Sequence, residues 1–206
     1  GVSDVMFPVW SESEGQDDLI WYEAEKDKNG FFSYTLDLSK HKGLGTYNVH
    51  AYVKKRNGNQ VFLLRAEFKT DTPAVDCFAV NAENRTEGCF TVTVSDIVNA
   101  DLVKSIRIPI WSKPDQSDLV WYNASKNLKG EYSVEVNIKN HNYNAAVYNV
   151  HCYIEDITGG LSGVGTTSCD MSAKINSLNV EDKDGTEQSY IVSVKGVQFP
   201  AGEQDI

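Results

Sequence analysis

The phrase Tyr47-Asn48-Val49-His50-Ala51-Tyr52 returns later in the chain as Tyr148-Asn149-Val150-His151-Cys152-Tyr153. The longer stretches around it repeat as well. FPVWSESEGQDDLIWYEA (7–24) matches IPIWSKPDQSDLVWYNA (108–124), and NGFFSYTLDLSKH (29–41) matches KGEYSVEVNIKNH (129–141). A period of about a hundred residues is a domain's length, far longer than a solenoid unit, so the chain must build one small domain more than once. A weaker third match pairs CFAVNAENRTEGCFTVTVSDIV (77–98) with SLNVEDKDGTEQSYIVSVKGV (177–197). The 206 residues therefore hold two periods with a shifted phase. One division gives repeats at 1–101 and 102–206.

Inside each period the pattern is β. Phe32, Tyr34, Leu36 and Leu38 alternate with polar residues, as do Phe90, Val92 and Val94. Asn29-Gly30, Asn57-Gly58, Gly159-Gly160 and Asp184-Gly185 supply turns. No amphipathic helix is evident. Short strands at this spacing give an all-β class and antiparallel β-sandwiches in tandem.

Composition narrows the function. A net charge of −10 opposes binding to nucleic acid or to anionic membranes, both of which need clustered Lys and Arg. No apolar run approaches the ~18 residues of a spanning helix, so no membrane insertion is expected. The four cysteines form no Cys-x-x-Cys pair, which disfavours zinc. Cys77 and Cys89 flank a turn and become Ser177 and Ser189 together, whereas Cys152 and Cys169 are symmetric about Gly160-Leu161. Two cross-strand disulfides and an oxidising compartment are the expectation.

The faces of the strands locate a candidate site. Tyr47, Val49, Ala51 and Val53 share one face and read as core, with Tyr47 and Tyr148 as tyrosine corners. His50, Tyr52, His151 and Tyr153 then point outward. Arg107 marks the outward face of the opening strand of the second copy, so Trp10 and Trp111 join it, and Trp21 and Trp121 follow on the next strand. With Asp18 and Asp118 these residues form the candidate ligand-binding set, in which rings stack on sugar rings and polar groups hold hydroxyls. Catalysis by His50 or His151, with His41, His141 or the Asp residues as partners, lacks a nucleophile elbow or oxyanion loop. His41, His50 and Asp18 match no standard metal spacing, so no metal or cofactor is expected.

The motifs Pro-x-Trp-Ser, Asp-x-x-Trp-Tyr, a later His and Tyr-Asn-x-His-x-Tyr, present in both copies, resemble the streptococcal Bsp-type surface repeat, a tandem module of Gram-positive surface proteins and cell-wall hydrolases. The resemblance covers most of 5–53 and 106–154, plus the strand pairs at 77–98 and 177–197. It implies immunoglobulin-like sandwiches, no catalytic residue, and an extracellular role at the bacterial surface or cell wall. It also implies a repeat that opens at the 77–98 strand pair, which gives the alternative division: one whole copy at 72–171 with half copies at 1–71 and 172–206 that complement each other, within one molecule or between two. The implied partner is peptidoglycan or another wall polysaccharide. A structural spacer or adhesin stalk without glycan affinity is the alternative.

Overall fold

The computed structural model describes residues 4–13 and 15–200. The strand pairs with a defined register run antiparallel, and no α-helix occurs among the described residues. The chain divides into two compact units, one of 1–74, 98–105 and 154–162, the other of 75–97, 106–153 and 163–206.

The first part of the chain makes β1 (Asp4–Ser11), β2 (Ile20–Glu23), β3 (Glu25–Lys26), β4 (Phe32–Ser33), β5 (Thr46–Lys54) and β6 (Gln60–Lys69). They form a four-stranded sheet in the order β2-β1-β5-β6 and a small β3-β4 ladder. Val9, Tyr22 and Tyr47 are buried at the centre of its core, and Phe7, Ile20, Leu36, Leu38 and Val49 pack around them. The alternation of Phe32 to Leu38 is realised only in part. Pairing ends at Ser33, and Leu38–Lys40 turns into a 3-10 helix because the Asp37 carboxylate accepts from the Ser39 N–H.

The next strands are β7 (Ala74–Asn81), β8 (Cys89–Val98), β9 (Val103–Trp111), β10 (Val120–Asn123), β11 (Ser125–Lys126), β12 (Tyr132–Asn137), β13 (Val147–Asp156) and β14 (Leu161–Asp170). They make two sheets, β11-β12-β8-β7 and β10-β9-β13-β14. Taken in chain order these are D-E-B-A and C′-C-F-G, the strand orders of an immunoglobulin-like sandwich. The inner faces meet where Phe90 packs against Tyr148, ring centroids 5.6 Å apart. Ile106, Ile108, Ile110, Val136, Val150 and Ile154 fill the space between. Burial of that many branched side chains is the main stabilising term, each contributing about 1.5–3 kcal/mol. The Arg85 guanidinium closes one end by donating to the Asp170 and Ser172 carbonyls. Beyond this lies the hairpin of β15 (Ser177–Asp182) and β16 (Tyr190–Lys195).

The tyrosine corners are present in both copies. Tyr47 Oη donates to the Gly43 carbonyl at 2.8 Å and Tyr148 Oη to that of Asn144 at 2.6 Å. The expected disulfides are not: Cys77, Cys89, Cys152 and Cys169 are all free thiols, and register explains why. In the matching hairpin, Ser177 pairs with Lys195 and Asp182 with Tyr190. Positions 77 and 89 therefore fall at opposite ends of their ladder, roughly 20 Å apart, out of disulfide reach. For the other pair, Ala51 faces Leu64 while Tyr47 faces Phe68. The second copy keeps the register, since Met171 N–H donates to the Ala146 carbonyl as Thr70 does to Gly45. Cys169 thus lies about four residues, ~13 Å, from the partner of Cys152. The turn centres on 156–160, where the Asp156 carboxylate accepts from the Thr158 and Gly160 N–H groups, and not on Gly160-Leu161. Burial pushes the Cys152 thiol up to about 12 and that of Cys169 to about 11, so both are inert. The cysteines carry no information about redox compartment.

Candidate functional site

The outward face of the β2-β1-β5-β6 sheet gathers most of the expected residues. Register sets Pro8 beside Trp21, Met6 beside Tyr52, and Trp10 beside Asn48. The Trp10 and His50 rings meet edge to face at 4.8 Å, and Trp21 tilts over Tyr52 at 5.1 Å. Pro8, paired with Trp21, is buried and brings no backbone N–H to the ladder. Trp21 is 41% exposed, whereas Trp10, His50 and Tyr52 are half-buried by one another. The second copy repeats the pattern on β10-β9-β13: Trp111 meets His151 at 4.6 Å, and Trp121 meets Tyr153 at 5.4 Å. Each ring pair adds about 0.5–1.5 kcal/mol beyond its area. Each leaves one tryptophan face open, because Trp121 is 42% exposed.

The copies differ at the rim. Phe62 packs on His50 and Tyr52 at 5.3 and 5.5 Å. It was missed in the sequence because alternation from Phe68 assigns it to the core face. A β-bulge reverses that assignment: pairing passes from Ala51–Leu64 to Tyr52–Phe62 and leaves Leu63 as the extra residue. In the second copy Gly163 lies under the Tyr153 ring, where a Cβ would sit 3.4 Å from Cε1. There Arg107 stacks on Trp121 instead, its guanidinium carbon 5.2 Å from the ring centroid. The alternation of β9 already showed Arg107 as outward.

Asp18 and Asp118 do not belong to this face. Asp18 is buried and accepts from the backbone N–H groups of Ser11 and Lys42 and from His41 Nδ1. Asp118 likewise takes the N–H groups of Ser112 and Lys113. Burial pushes each carboxyl up, but the donors around it outweigh that and hold it below the usual range. Both carboxylates organise loops. The buried histidines finish the same networks. His41 Nε2 accepts from Tyr22 Oη at 2.9 Å. His141 donates from Nδ1 to the Asp118 carbonyl at 2.9 Å, which leaves Nε2 to accept from Tyr122 Oη. No cluster of His, Cys, Asp and Glu among the described residues has metal-binding geometry.

No protein of curated function matches the chain. Among solved structures it resembles the FN1–FN3 domains of chicken CNTN1 (12% identity, 81% of this chain and 52% of that one, TM-score 0.36). It also resembles a Ca2+-stabilised adhesin with which an Antarctic bacterium binds ice (14%, 88% and 43%, TM-score 0.32). A third likeness is the chicken interferon gamma receptor alpha chain (8%, 82% and 84%, TM-score 0.36). The chain spans about half the length of the first two, and likenesses this distant do not bear on ligand or partner. The GBS Bsp-like repeat matches at two successive segments, 1–68 and 79–169, which together take in most of the sequence, and by that measure the chain belongs to the GBS Bsp-like repeat family.

Proposed function

We propose that the chain is a non-catalytic module of a bacterial surface protein, and that its outward aromatic faces bind sugar rings of a wall polysaccharide or peptidoglycan. One observation carries the reading: two copies of the fold keep the same Trp–His and Trp–Tyr ring pairs on a face that leaves Trp21 and Trp121 open. A merely stabilising ring layer buries its largest members, yet here the second tryptophan of each copy stays exposed on its sheet. An indole face matches the apolar face of a pyranose in size. Asn48, hydrogen-bonded to Glu12, edges the first face with groups suited to hydroxyls. Arg107 gives the second face a cation, so that copy favours a polymer bearing carboxylate or phosphate.

Co-sedimentation with purified bacterial cell walls tests this. Wild type is retained, and Trp21→Ala with Trp121→Ala lowers apparent affinity at least about tenfold. No retention of wild type, or equal retention of the double variant, leaves the repeats as a spacer and removes the binding reading.

A further inference from the structure

On the reading that the outward faces bind sugar rings, we propose that the second copy carries a slot for a pyranose bearing a carboxylate, and that the first copy has the same slot filled by its own Phe62. One cross-strand row of the outward sheet carries the inference. In the first copy the row runs Glu23, Met6, Tyr52, Phe62, each paired with the next across β2, β1, β5 and β6. In the second copy the equivalent row is Asn123, Arg107, Tyr153, Gly163, with Asn123 paired to Arg107. The tyrosine is kept and every other member changes. A carboxylate becomes an amide, a thioether becomes a guanidinium, and a phenyl ring is lost. The row thus sheds an anion, gains a cation and is emptied of one ring.

Gly163 takes the place of Phe62 because the bulge is kept. A Cβ on Gly163 would meet the Tyr153 ring, whereas one on Gly165 would meet Phe78, which lies in the opposite sheet on β7. Residues two apart on a regular strand share a face. Here they point to opposite faces, as Phe62 and Leu64 do across the bulge at Ala51 and Tyr52. In the first copy the Phe62 ring bridges His50 and Tyr52, which themselves stand 6.4 Å apart. Among the described residues no ring bridges His151 and Tyr153; their ring partners are Trp111 and Trp121. Gly163 is exposed, so the volume that Phe62 occupies in one copy is open to solvent beside Tyr153 in the other.

The neighbouring groups determine what fits there. The Arg107 guanidinium lies over the Trp121 ring and forms no ion pair among the described residues. Stacking uses its face and leaves its N–H edge to donate to a carboxylate as a fork. Asn123, exposed on the adjoining strand, adds an amide N–H. At that position the first copy holds Glu23, which would repel the same carboxylate. Neighbouring strands lie about 4.8 Å apart, so Arg107 and Gly163 are separated by about 10 Å with Tyr153 between them. A pyranose over Gly163 lays its apolar face on the Tyr153 ring and the exposed Trp121 indole and carries its carboxylate toward Arg107. A neutral sugar leaves the guanidinium without a counter-charge, and a bare phosphate leaves the vacated ring volume empty. The row selects a ligand with both features.

NMR titration of the full chain, read at the Trp21 and Trp121 indole N–H groups, is the test. The probes are trigalacturonate, its methyl ester, which keeps the rings and removes the charges, and a glycerol phosphate oligomer. Trigalacturonate shifts Trp121 and leaves Trp21 in place, and the other two bind at least about tenfold more weakly. Gly163→Phe fills the slot and Arg107→Met removes the cation, and each weakens trigalacturonate binding at least about tenfold. The fold accepts Gly163→Phe, since the new Cβ stands 3.4 Å from Tyr153 Cε1, an ordinary contact. The reverse exchange, Glu23→Asn with Met6→Arg and Phe62→Gly, creates a response at Trp21. Wild type that does not bind trigalacturonate, equal responses at the two indoles, equal binding of acid and ester, preference for the phosphate oligomer, or indifference to Gly163→Phe and Arg107→Met overturns the proposal. Wall retention that still depends on Trp21 and Trp121 would then leave the sugar-binding reading standing. Trigalacturonate bound at Trp121 without wall retention keeps the slot and removes the wall as its source, so the two ideas fail separately.

Discussion

Each copy carries two histidines with opposite roles. His50 and His151, in the repeated phrase, lie outward against tryptophan edges. His41 and His141 are buried in hydrogen-bonded relays with a tyrosine and an aspartate. Burial lowers the affinity of His141 for its second proton, with the Asp118 carbonyl and charge opposing in part. Its folded pKa therefore lies below the ordinary 6.5, and the unfolded chain takes up the proton first. This stabilising contribution is complete above about pH 6.5 and is lost as pH falls toward the folded value. Asp18 and Asp118, held below 3.8, keep their contribution until pH falls below that. Urea midpoints at pH 7.5, 5 and 3.5 are expected to drop in two stages, and a midpoint flat from 7.5 to 5 would contradict the buried neutral His141. Asp118→Ala strips the acceptor from two backbone donors and is expected to cost about 2–4 kcal/mol in urea unfolding. Asp118→Asn keeps an acceptor oxygen and costs less. The tyrosine corners were legible, because Tyr47 and Tyr148 lead a core-facing alternation. The Asp18 role was not: beside Trp10 and Trp21 in sequence it has the chemistry of a sugar ligand. Only the folded loop reveals the N–H groups wrapped around it.

At the scale of elements, alternation located the strands and their faces but not their partners. Phe32 to Leu38 has the pattern of Tyr132 to Ile138, yet β12 runs Tyr132–Asn137 and β4 only Phe32–Ser33. The difference lies in the neighbour, since β12 has β8 beside it. A strand's length is set by what it bonds to, a non-local property that no window of sequence contains. Amide exchange makes this measurable: in dilute protein the amides of 133–136 resist exchange, whereas those of 33–36 exchange at least about tenfold faster. Equal protection would mean that β4 has a partner. The cysteines fail as a guide for the same reason, because symmetry about a turn is useful only if the turn is placed correctly. Asp156 moves it by about two residues, enough to separate Cys152 from Cys169. A thiol titration of the unfolded chain should count all four cysteines without reductant, and dithiothreitol should leave the thermal midpoint unchanged.

Across the whole molecule the core is unevenly distributed. Among the described residues the buried apolar side chains fall mostly between Cys89 and Met171, the exceptions being Val5, Pro8, Val9, Tyr22, Tyr47 and Pro200. The exposed large apolar residues concentrate in β6 and in 175–199, where Phe62, Leu63, Leu64, Tyr190 and Val192 stand at about half exposure. Stability follows apolar area removed from water, so the chain is strongest where two sheets face each other. Trypsin at low protein concentration should therefore cut first after Lys69 and at Lys174, Lys183 or Lys195, leaving a persistent fragment that begins at Thr70 and ends at or just past Lys174. Lys104, Lys126 and Lys139 lie inside that fragment and should be cut last, even though Lys104 is side-chain exposed and paired with Glu155 on the surface, because a protease needs locally unfolded chain and not merely an exposed lysine. Early cleavage within 74–170 would show that sandwich to be no firmer than its flanks.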